Sequence, residues 1–380
     1  MEQLKAYKFR IYPTEKQKEF FAKCFGCVRK AYNLMLDDRK KVYEDLQYDP
    51  EIVIKYPTPA KYKEEYPFLK EVDSLALANA QLNLDKAFKS YSRNKSFGFP
   101  NFKSKKNPVQ SYTTNNQNGT IELFEDKYIK LPKIKDLIRI RLHRKPIGVI
   151  KSATITYSAS GKYYISLLCK EDIEQLPKTN SSIGIDLGIK DFAILSDGRK
   201  INNNKFTSKM EKKLIREQRK LSKKLSLAKE KGIDILSAKN YQKQKREVAR
   251  LYEKVKNQRN DFLNKLSTDI IKNHDTICIE DLNTKGMLRN HKLAKSISDV
   301  SWSNFVEKLQ YKAKWYGREV IKIDRWFASS QICSECGHKD GKKPLDIRHW
   351  TCTSCKAYND RDINASRNIL AEGLRIKALA

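Results

Sequence analysis

The sequence predicts an α/β domain preceded by a small β-barrel. Three observations lead to this fold class. Short alternating apolar runs recur over 110–169 and, with a similar run at 4–12, fit the strands of a barrel. Apolar runs at 183–187, 192–198 and 276–282 then alternate with helical patterns, as in α/β domains. Two cysteine pairs near the C-terminus indicate an inserted metal-binding ribbon.

The N-terminal strand ends at Pro13, where Thr14 and Gln17 form a capping box that starts a helix. Helical patterns continue to about residue 95, so we expect a helical segment inserted after the first barrel strand. Cys24 and Cys27 share one face of its first helix with large apolar residues, and no second ligand pair lies nearby. We therefore expect both thiols to face the core. The remaining barrel strands are predicted at 110–115, 128–131, 137–143, 150–157 and 162–169.

The second domain is predicted to open with the strand 183–187, and a second strand follows closely and ends at the turn Asp197-Gly198. A helical tract then covers 207–272, and we expect Gly232 to divide it into two antiparallel helices. The later elements are predicted as a strand at 276–282, a helix at 303–317, a strand at 319–324 and a closing helix at about 363–377.

The charge balance predicts a polyanionic partner. The 380 residues include 77 Lys and Arg but 45 Asp and Glu, a formal net charge of +32. The bias is strongest at 205–260, with 19 basic and 6 acidic residues. A hairpin that only faces solvent is the alternative, but the excess of one sign favours a phosphate-facing surface. No run approaches a membrane-spanning helix and the N-terminus lacks an apolar signal core, so neither a membrane nor secretion is expected.

Four cysteines form two CxxC pairs, CSEC at 333–336 and CTSC at 352–355, separated by 15 residues. This spacing is typical of zinc ribbons, in which each pair supplies two thiolates from a tight turn. Four thiolates complete a tetrahedral shell, so His338 and His349 are not needed as ligands. We therefore expect one structural Zn²⁺ bound by Cys333, Cys336, Cys352 and Cys355.

Three acidic residues lie beside apolar segments: Asp186 inside IGIDLG, Glu280 after ICI, and Asp362 before the closing helix. If these carboxylates converge, their repulsion must be neutralised, and Mg²⁺ or Mn²⁺ with oxygen ligands can do so. Two such ions about 3.5–4 Å apart clamp a scissile phosphate. In so basic a chain this indicates hydrolysis of a nucleic-acid backbone. The alternative is that each acid is satisfied locally.

The segment IGIDLG also resembles the first phosphate loop of the heat-shock chaperone, actin and sugar-kinase ATPases, which share the ribonuclease H-like core. Those loops usually place Thr or Ser after the second glycine, where this chain has Ile189, Lys190 and Asp191. Neither a second phosphate loop nor a glycine-rich adenosine motif follows in the sequence. The ATPase alternative is therefore disfavoured.

Seven segments along nearly the whole chain together resemble one known family. They are KAYKFRIYPTEKQ at the start, FPNFKSK (99–105), GIDLGIKDFAILSDG, NQRNDFLNKLS (257–267), IEDLN (279–283), SSQICSECG (329–337) and DRDINASRNIL (360–370). In this order they resemble the TnpB family, the RNA-guided nucleases that some bacterial and archaeal insertion sequences encode. That family is regarded as ancestral to the type V CRISPR effectors.

The resemblance implies roles for the matching residues. Asp186, Glu280 and Asp362 match the three RuvC-type catalytic carboxylates, with Asp362 rather than Asp360 because it lies two residues before Asn364. Two departures, Asn264 where His is frequent and Cys278 in the second motif, remove no ligand. The implied domains are a wedge-like barrel (1–13 and 109–180), a helical recognition insert (14–108), a RuvC-like nuclease domain with a ribonuclease H-like fold (181–327 and 359–380, with the basic hairpin 207–272), and a zinc ribbon (328–358).

The resemblance also implies partners and a reaction. The expected partners are a guide RNA from the transposon end and a double-stranded DNA target that forms an R-loop. The expected reaction is metal-dependent cutting of target DNA next to a short adjacent motif, with two ions at the nuclease site. A monomeric ribonucleoprotein in the prokaryotic cytoplasm, associated with the nucleoid, is expected. Two alternatives remain: a catalytically silent RNA-guided DNA-binding protein and a guide-free nuclease.

Overall fold

The computed structural model describes residues 2–48, 56–344 and 346–379. The chain divides into two compact units, Glu2–Asp172 and Ile173–Ala380. Residues 173–180, which the resemblance places at the end of the barrel region, group with the second unit in this division. Within the described residues, none of the helices combines the length and the apolar character needed to cross a membrane.

An antiparallel sheet forms the centre of the first unit. Its order is β2-β6-β7-β1-β5-β4-β3, so the N-terminal strand pairs with β7 on one side and with β5 on the other. The predicted barrel is therefore a half-barrel, with β2 and β3 as edge strands. The strands are β1 (Glu2–Tyr12), β2 (Gln110–Asn115), β3 (Glu122–Phe124), β4 (Tyr128–Lys130), β5 (Ile138–Arg141), β6 (Val149–Tyr157) and β7 (Tyr163–Asp172).

Helices lie between β1 and β2, as the sequence predicts. They are α1 (Glu15–Tyr48), α2 (Tyr62–Glu65) and α3 (Ser74–Arg93), with 3₁₀ turns at Pro67–Lys70 and Lys95–Phe97. The predicted capping box starts α1: the Thr14 N–H donates to Gln17 Oε1 at 3.0 Å, and the Gln17 N–H donates to Thr14 Oγ1 at 3.4 Å. Cys24 and Cys27 are buried in the core of this unit, which confirms the prediction that both face inward.

A five-stranded sheet forms the centre of the second unit, in the order β10-β9-β8-β11-β12. In this sheet β9 pairs antiparallel with both β8 and β10. On the other side, β11 pairs parallel with both β8 and β12. The strands are β8 (Ser182–Leu187), β9 (Asp191–Leu195), β10 (Lys200–Asn202), β11 (Thr276–Glu280) and β12 (Glu319–Ile323). A two-stranded ribbon, β13 (His349–Thr351) with β14 (Tyr358–Asp360), follows near the cysteines.

Six helices are described in the second unit: α4 (Phe206–Glu230), α5 (Lys239–Asn273), α6 (Thr284–Met287), α7 (Ala294–Val300), α8 (Trp302–Tyr316) and α9 (Arg361–Ala378). The predicted helical hairpin is α4 and α5, and it turns just after Gly232, whose φ is +65°. Leu214, Val248 and Val255 are buried in this hairpin. One face of the sheet packs against α5 and α8 through a shared apolar cluster that includes Ile185, Ile279 and Phe305.

Candidate functional site

The strands β8 and β11 bring Asp186 and Glu280 to one end of the sheet. Ile185 and Ile279 are Cα partners in this parallel pair, and both are fully buried in the α5/α8 cluster. Because side chains alternate along a strand, the next residues, Asp186 and Glu280, turn to the opposite face. Both acids stand at or near the carboxyl ends of their strands, where ligands of open α/β sheets commonly bind.

Helix α9 covers the face that carries the two acids. It lies so close that a side chain at Gly184 would collide with the carbonyl oxygen of Ser366, and one at Gly373 would collide with Cys278. Asp362 stands in the first turn of α9, four residues before Ser366. The close packing of the helix therefore places the Asp362 turn towards the same ends of β8 and β11.

The other two acids act electrostatically on Asp186. Burial and the negative charges of Glu280 and Asp362 raise the pKa of Asp186 to about 7, although Arg361 acts in the opposite direction. Burial also raises the pKa of Glu280, and the Ser329 hydroxyl, which donates to Glu280 Oε1 at 2.7 Å, acts against it. A partly buried acid with like-charged neighbours is the environment expected of a cation-binding carboxylate cluster.

The carboxylates are nevertheless not gathered as tightly as the cysteines. Within residues 2–48, 56–344 and 346–379, the four cysteines form a group of potential metal ligands whose atoms all lie within 4.8 Å of one another, and the three acids do not. The Asp362 carboxylate is paired instead with Arg348, whose Nη1 lies 3.2 Å from Asp362 Oδ2. The structure thus brings the three acids to one region, but within its described residues their carboxylate oxygens do not all lie within 4.8 Å of one another.

Asp360 has a structural role that distinguishes it from Asp362. Its Oδ1 accepts the N–H groups of Asp362 and Ile363 at 3.0 and 3.1 Å, which caps α9. Its Oδ2 lies 2.6 Å from Lys200 Nζ. Burial acts to raise the pKa of Asp360, but the Lys200 contact and the capped N–H groups outweigh it, so the pKa falls below its usual range. Asp362 makes no comparable capping bond in the described residues.

The four cysteines form the predicted cluster. The Sγ atoms of Cys333 and Cys355 are 3.7 Å apart, and so are those of Cys336 and Cys352. These separations exceed a disulfide bond, and all four thiols are free. A tetrahedral ion with Zn–S bonds of about 2.3 Å has sulfurs about 3.8 Å apart, so the cluster fits Zn²⁺. His338 and His349 lie outside this group.

Each cysteine pair sits on a tight turn. The Cys333 N–H donates to the His338 carbonyl, and the Gly337 N–H donates back to the Cys333 carbonyl, both at 2.9 Å. The second pair repeats the pattern: the Cys352 N–H donates to the Ala357 carbonyl at 2.9 Å. Trp350 packs against Cys333 and Cys352 in a small core of its own. The segment therefore has the features of a zinc-ribbon-like insert.

Two asparagines fasten this insert to α9. Asn364 Nδ2 donates to the Ile332 carbonyl at 2.7 Å, and Asn364 Oδ1 accepts the Ser334 N–H at 2.8 Å. Asn368 Nδ2 donates to the carbonyls of Ser329 and Ile332 at 2.8 and 2.7 Å. The sequence reasoning missed this role. The sequence signal was limited to two asparagines four residues apart, which share one helix face; their burial, which requires partners, is seen only in the structure.

Comparisons with known proteins match these features. The family model described as "Probable transposase" matches residues 166–291, "Cas12f1-like, TNB domain" matches 302–369, and "Helix-turn-helix domain" matches 1–47. A solved structure titled "Cryo-EM structure of the Cas12f1-sgRNA-target DNA complex" has the same fold, with a TM-score of 0.58 at 15% identity. The alignment covers 94% of this chain and 83% of that chain.

Curated relatives extend the match over the full length. A Streptomyces pristinaespiralis protein named "Putative RNA-guided DNA endonuclease" is 38% identical, over 100% of this chain and 92% of its own length. An Escherichia coli K12 protein named "Putative RNA-guided DNA endonuclease InsQ" is 30% identical, over 100% of this chain and 94% of its own length. Fold and site define the class: a RuvC-like protein with a zinc-ribbon-like insert. Within that class, the chain belongs to the TnpB family.

Proposed function

We propose that this chain is an RNA-guided DNA endonuclease of an insertion sequence. It would cut target DNA next to a short adjacent motif, by two-metal-ion hydrolysis of the phosphodiester bond. The names of the relatives support the coarse function. One observation carries the catalytic assignment: the charges of Glu280 and Asp362 both act on Asp186, although the three residues come from distant parts of the chain.

In this proposal Asp186, Glu280 and Asp362 hold the divalent ions, because carboxylate oxygens are the ligands that Mg²⁺ and Mn²⁺ prefer. When bound, such ions supply charge for the scissile phosphate and an activated water. The protein contributes the positions of the acids. Ser329 fixes one oxygen of Glu280, and the Asp360 cap holds the first turn of α9, which carries Asp362. When ions bind, Arg348 would release Asp362 and contact the substrate phosphate or solvent instead.

The remaining parts have proposed roles of their own. The basic hairpin of α4 and α5 and the half-barrel would contact the phosphates of the guide RNA and of the RNA–DNA hybrid. Pairing with the guide would select the sequence. The displaced strand would reach the single acid site first and the target strand afterwards, so the ends would be staggered. The proposed domain boundaries are those given by the resemblance, with the ribbon at 328–358 as a structural zinc site.

A cleavage assay tests the proposal. The full chain, with the RNA that copurifies with it, should cut a matched DNA target when Mg²⁺ is present. Asp186→Ala should abolish cutting and leave guide-dependent target binding nearly intact. Residual cutting by Asp186→Ala at the wild-type rate would reject the metal assignment, and cutting without RNA would favour the guide-free nuclease.

The Arg348–Asp362 pair and the loose spacing of the acids favour one competing function. In that alternative the chain is an RNA-guided DNA-binding protein that occupies its target without cutting. This alternative would be supported if the target DNA is retarded on a gel but not cut, at saturating Mg²⁺ and with the same guide. The same preparation decides between the two, because binding and cutting are read from one gel.

A further inference from the structure

A cavity of about 240 Å³ lies beside the acid site, at the carboxyl ends of β8 and β11. It opens between these strand ends and α8. One of the three acids, Glu280, is also among the residues that line the cavity, so the cavity adjoins the acid site. The residues that matter for its chemistry are Leu187, Glu280, Thr284, Trp302, Val306 and Gln310.

The walls of this cavity combine apolar surface with hydrogen-bonding groups. Leu187, Val306 and the indole of Trp302 supply the apolar part. Thr284 Oγ1 and Ser303 Oγ lie 2.7 Å apart, and each retains bonding capacity beyond this mutual bond. The Trp302 side chain is 3% exposed, and its Nε1 is buried without a hydrogen-bond partner in the described part of the chain.

The size and charge of the cavity discriminate between ligands. Pockets for drug-sized molecules measure about 300–1,000 Å³, so this cavity suits one small planar ring system. Three acids, Glu280, Asp281 and Glu307, line it together with one cation, Lys322, so the negative excess disfavours a phosphate group. A nucleobase presents both donors and acceptors on its edges and apolar faces above and below, and this matches the walls.

We propose that this cavity receives the base of the nucleotide next to the scissile phosphate. Glu280 ends β11 at the acid site and is also a residue of the cavity lining, so a phosphate at the acids leaves the neighbouring base within reach of the cavity. Val306 and Leu187 contact its faces, and Gln310 and the Thr284–Ser303 hydroxyl pair bond its edge. The cavity thereby aligns the strand for cutting. The inference rests on the proposed nuclease function and adds a substrate-positioning subsite to it.

Abasic scanning tests the subsite. Targets with a single abasic nucleotide at each position around the cut are compared in single-turnover assays. One position adjoining the cut should slow cutting by roughly fivefold to a hundredfold, the range expected for loss of one stacked base. Guide-dependent binding should not change. Equal rates at every position would overturn the proposal.

Filling the cavity provides the matched comparison. Val306→Trp should slow cutting of the intact target, and the abasic nucleotide should then cause no further loss, because both changes remove the same contact. Lys314→Trp, on the exposed part of α8 outside the cavity, should behave as wild type. Gln310 is exposed, so Gln310→Leu should leave the fold intact. This variant should alter which base is preferred at that nucleotide position. Additive losses in Val306→Trp would contradict a shared contact.

A second measurement does not depend on cutting. The four tryptophans are labelled with 5-fluorotryptophan, and Trp302→Phe assigns the resonance of Trp302. The guide–target complex should shift this resonance with intact DNA but not with the abasic target. A shift without any cutting would retain the subsite and reject the nuclease function. No shift with either target would reject the subsite.

Discussion

At the scale of the residue, Asp186 carries its charge in surroundings that oppose it. Burial and two like charges raise its pKa to about 7, whereas an unfolded aspartate titrates near pH 3.9. Between about pH 4 and pH 7 the folded protein holds a proton that the unfolded chain has lost. The free energy of unfolding therefore falls as the pH rises through this interval. At a half-buried carboxyl, solvent screening reduces the effect to about 1–3 kcal/mol.

Asp186→Asn should remove this pH dependence. Without added divalent ions, and with the ribbon metal retained, the variant should be more stable than wild type at pH 7.5 and similar to it below pH 4. Added Mg²⁺ should raise the stability of wild type alone. Urea unfolding of the full chain from about pH 3.5 to about pH 8 measures both effects. The exposed control Asp261→Asn should keep the wild-type slope; equal slopes in wild type and Asp186→Asn would contradict the coupling.

Asp360 and Asp362 lie two residues apart, so the same Asp→Asn change at each position compares the capping role with the ligand role. Asp360→Asn keeps an oxygen that accepts the capping N–H groups, so cutting should fall severalfold at most. Asp362→Asn should slow cutting more than roughly a hundredfold, because a lost ligand removes several kcal/mol of charge stabilisation. Single-turnover cutting at saturating Mg²⁺ measures both variants, with target binding as the control. The reverse order of effects would transfer the ligand role to Asp360.

At the scale of the element, the zinc-ribbon-like insert supports the acid site from two sides. Ser329, just before its first cysteine pair, bonds Glu280, and Arg348, just before its second, pairs with Asp362. Asn364 and Asn368 join the same insert to α9. The insert can hold this geometry only while its own small core is intact, and that core contains little besides Trp350 and the cysteines.

Loss of one ligand should therefore affect both the ribbon and catalysis. Cys336→Ser should release zinc, increase hydrogen exchange at 328–358 and at the start of α9, and abolish cutting. Cys336→His restores a ligand that zinc accepts in Cys₃His sites, and it should recover both properties. Exchange in β1 and β7 serves as the internal control. Normal protection of 328–358 in a zinc-free protein would show that the metal does not hold this element.

Local patterns in the sequence were sufficient to predict the long elements and the four-cysteine cluster. The capping box at α1, the break after α4 and the buried Cys24 and Cys27 were predicted from local patterns, and the structure confirms them. Of the five three-residue strands described, β4 was predicted, but β3, β10, β13 and β14 were not, since pairing more than local preference stabilises so short a strand. The Ser329–Glu280 bond joins residues 49 positions apart, and such a contact exists only after folding.

At the scale of the whole molecule, charge is unevenly distributed. The formal net charge is +32, and 19 of the basic residues fall within 205–260, the hairpin of α4 and α5. Its neighbouring helices bury a narrow seam and leave most of these side chains exposed. A surface of this kind binds phosphates by releasing counterions, and the affinity then falls linearly with the logarithm of the salt concentration. The magnitude of the slope of log affinity against log salt concentration is proportional to the number of phosphates that the protein neutralises.

Neutralising part of the hairpin should reduce this slope in proportion. Lys212, Arg219 and Lys223 are exposed on α4, and changing all three to Gln should lower the slope by about two to three units, at about 0.7–0.9 for each phosphate lost. Binding of a non-specific DNA duplex across a KCl series measures it. The triple variant Lys212→Arg, Arg219→Lys and Lys223→Arg keeps the charge and should retain the wild-type slope. If the neutralised variant also retains it, the hairpin is a solvated charged surface and the phosphate contacts lie elsewhere on the molecule.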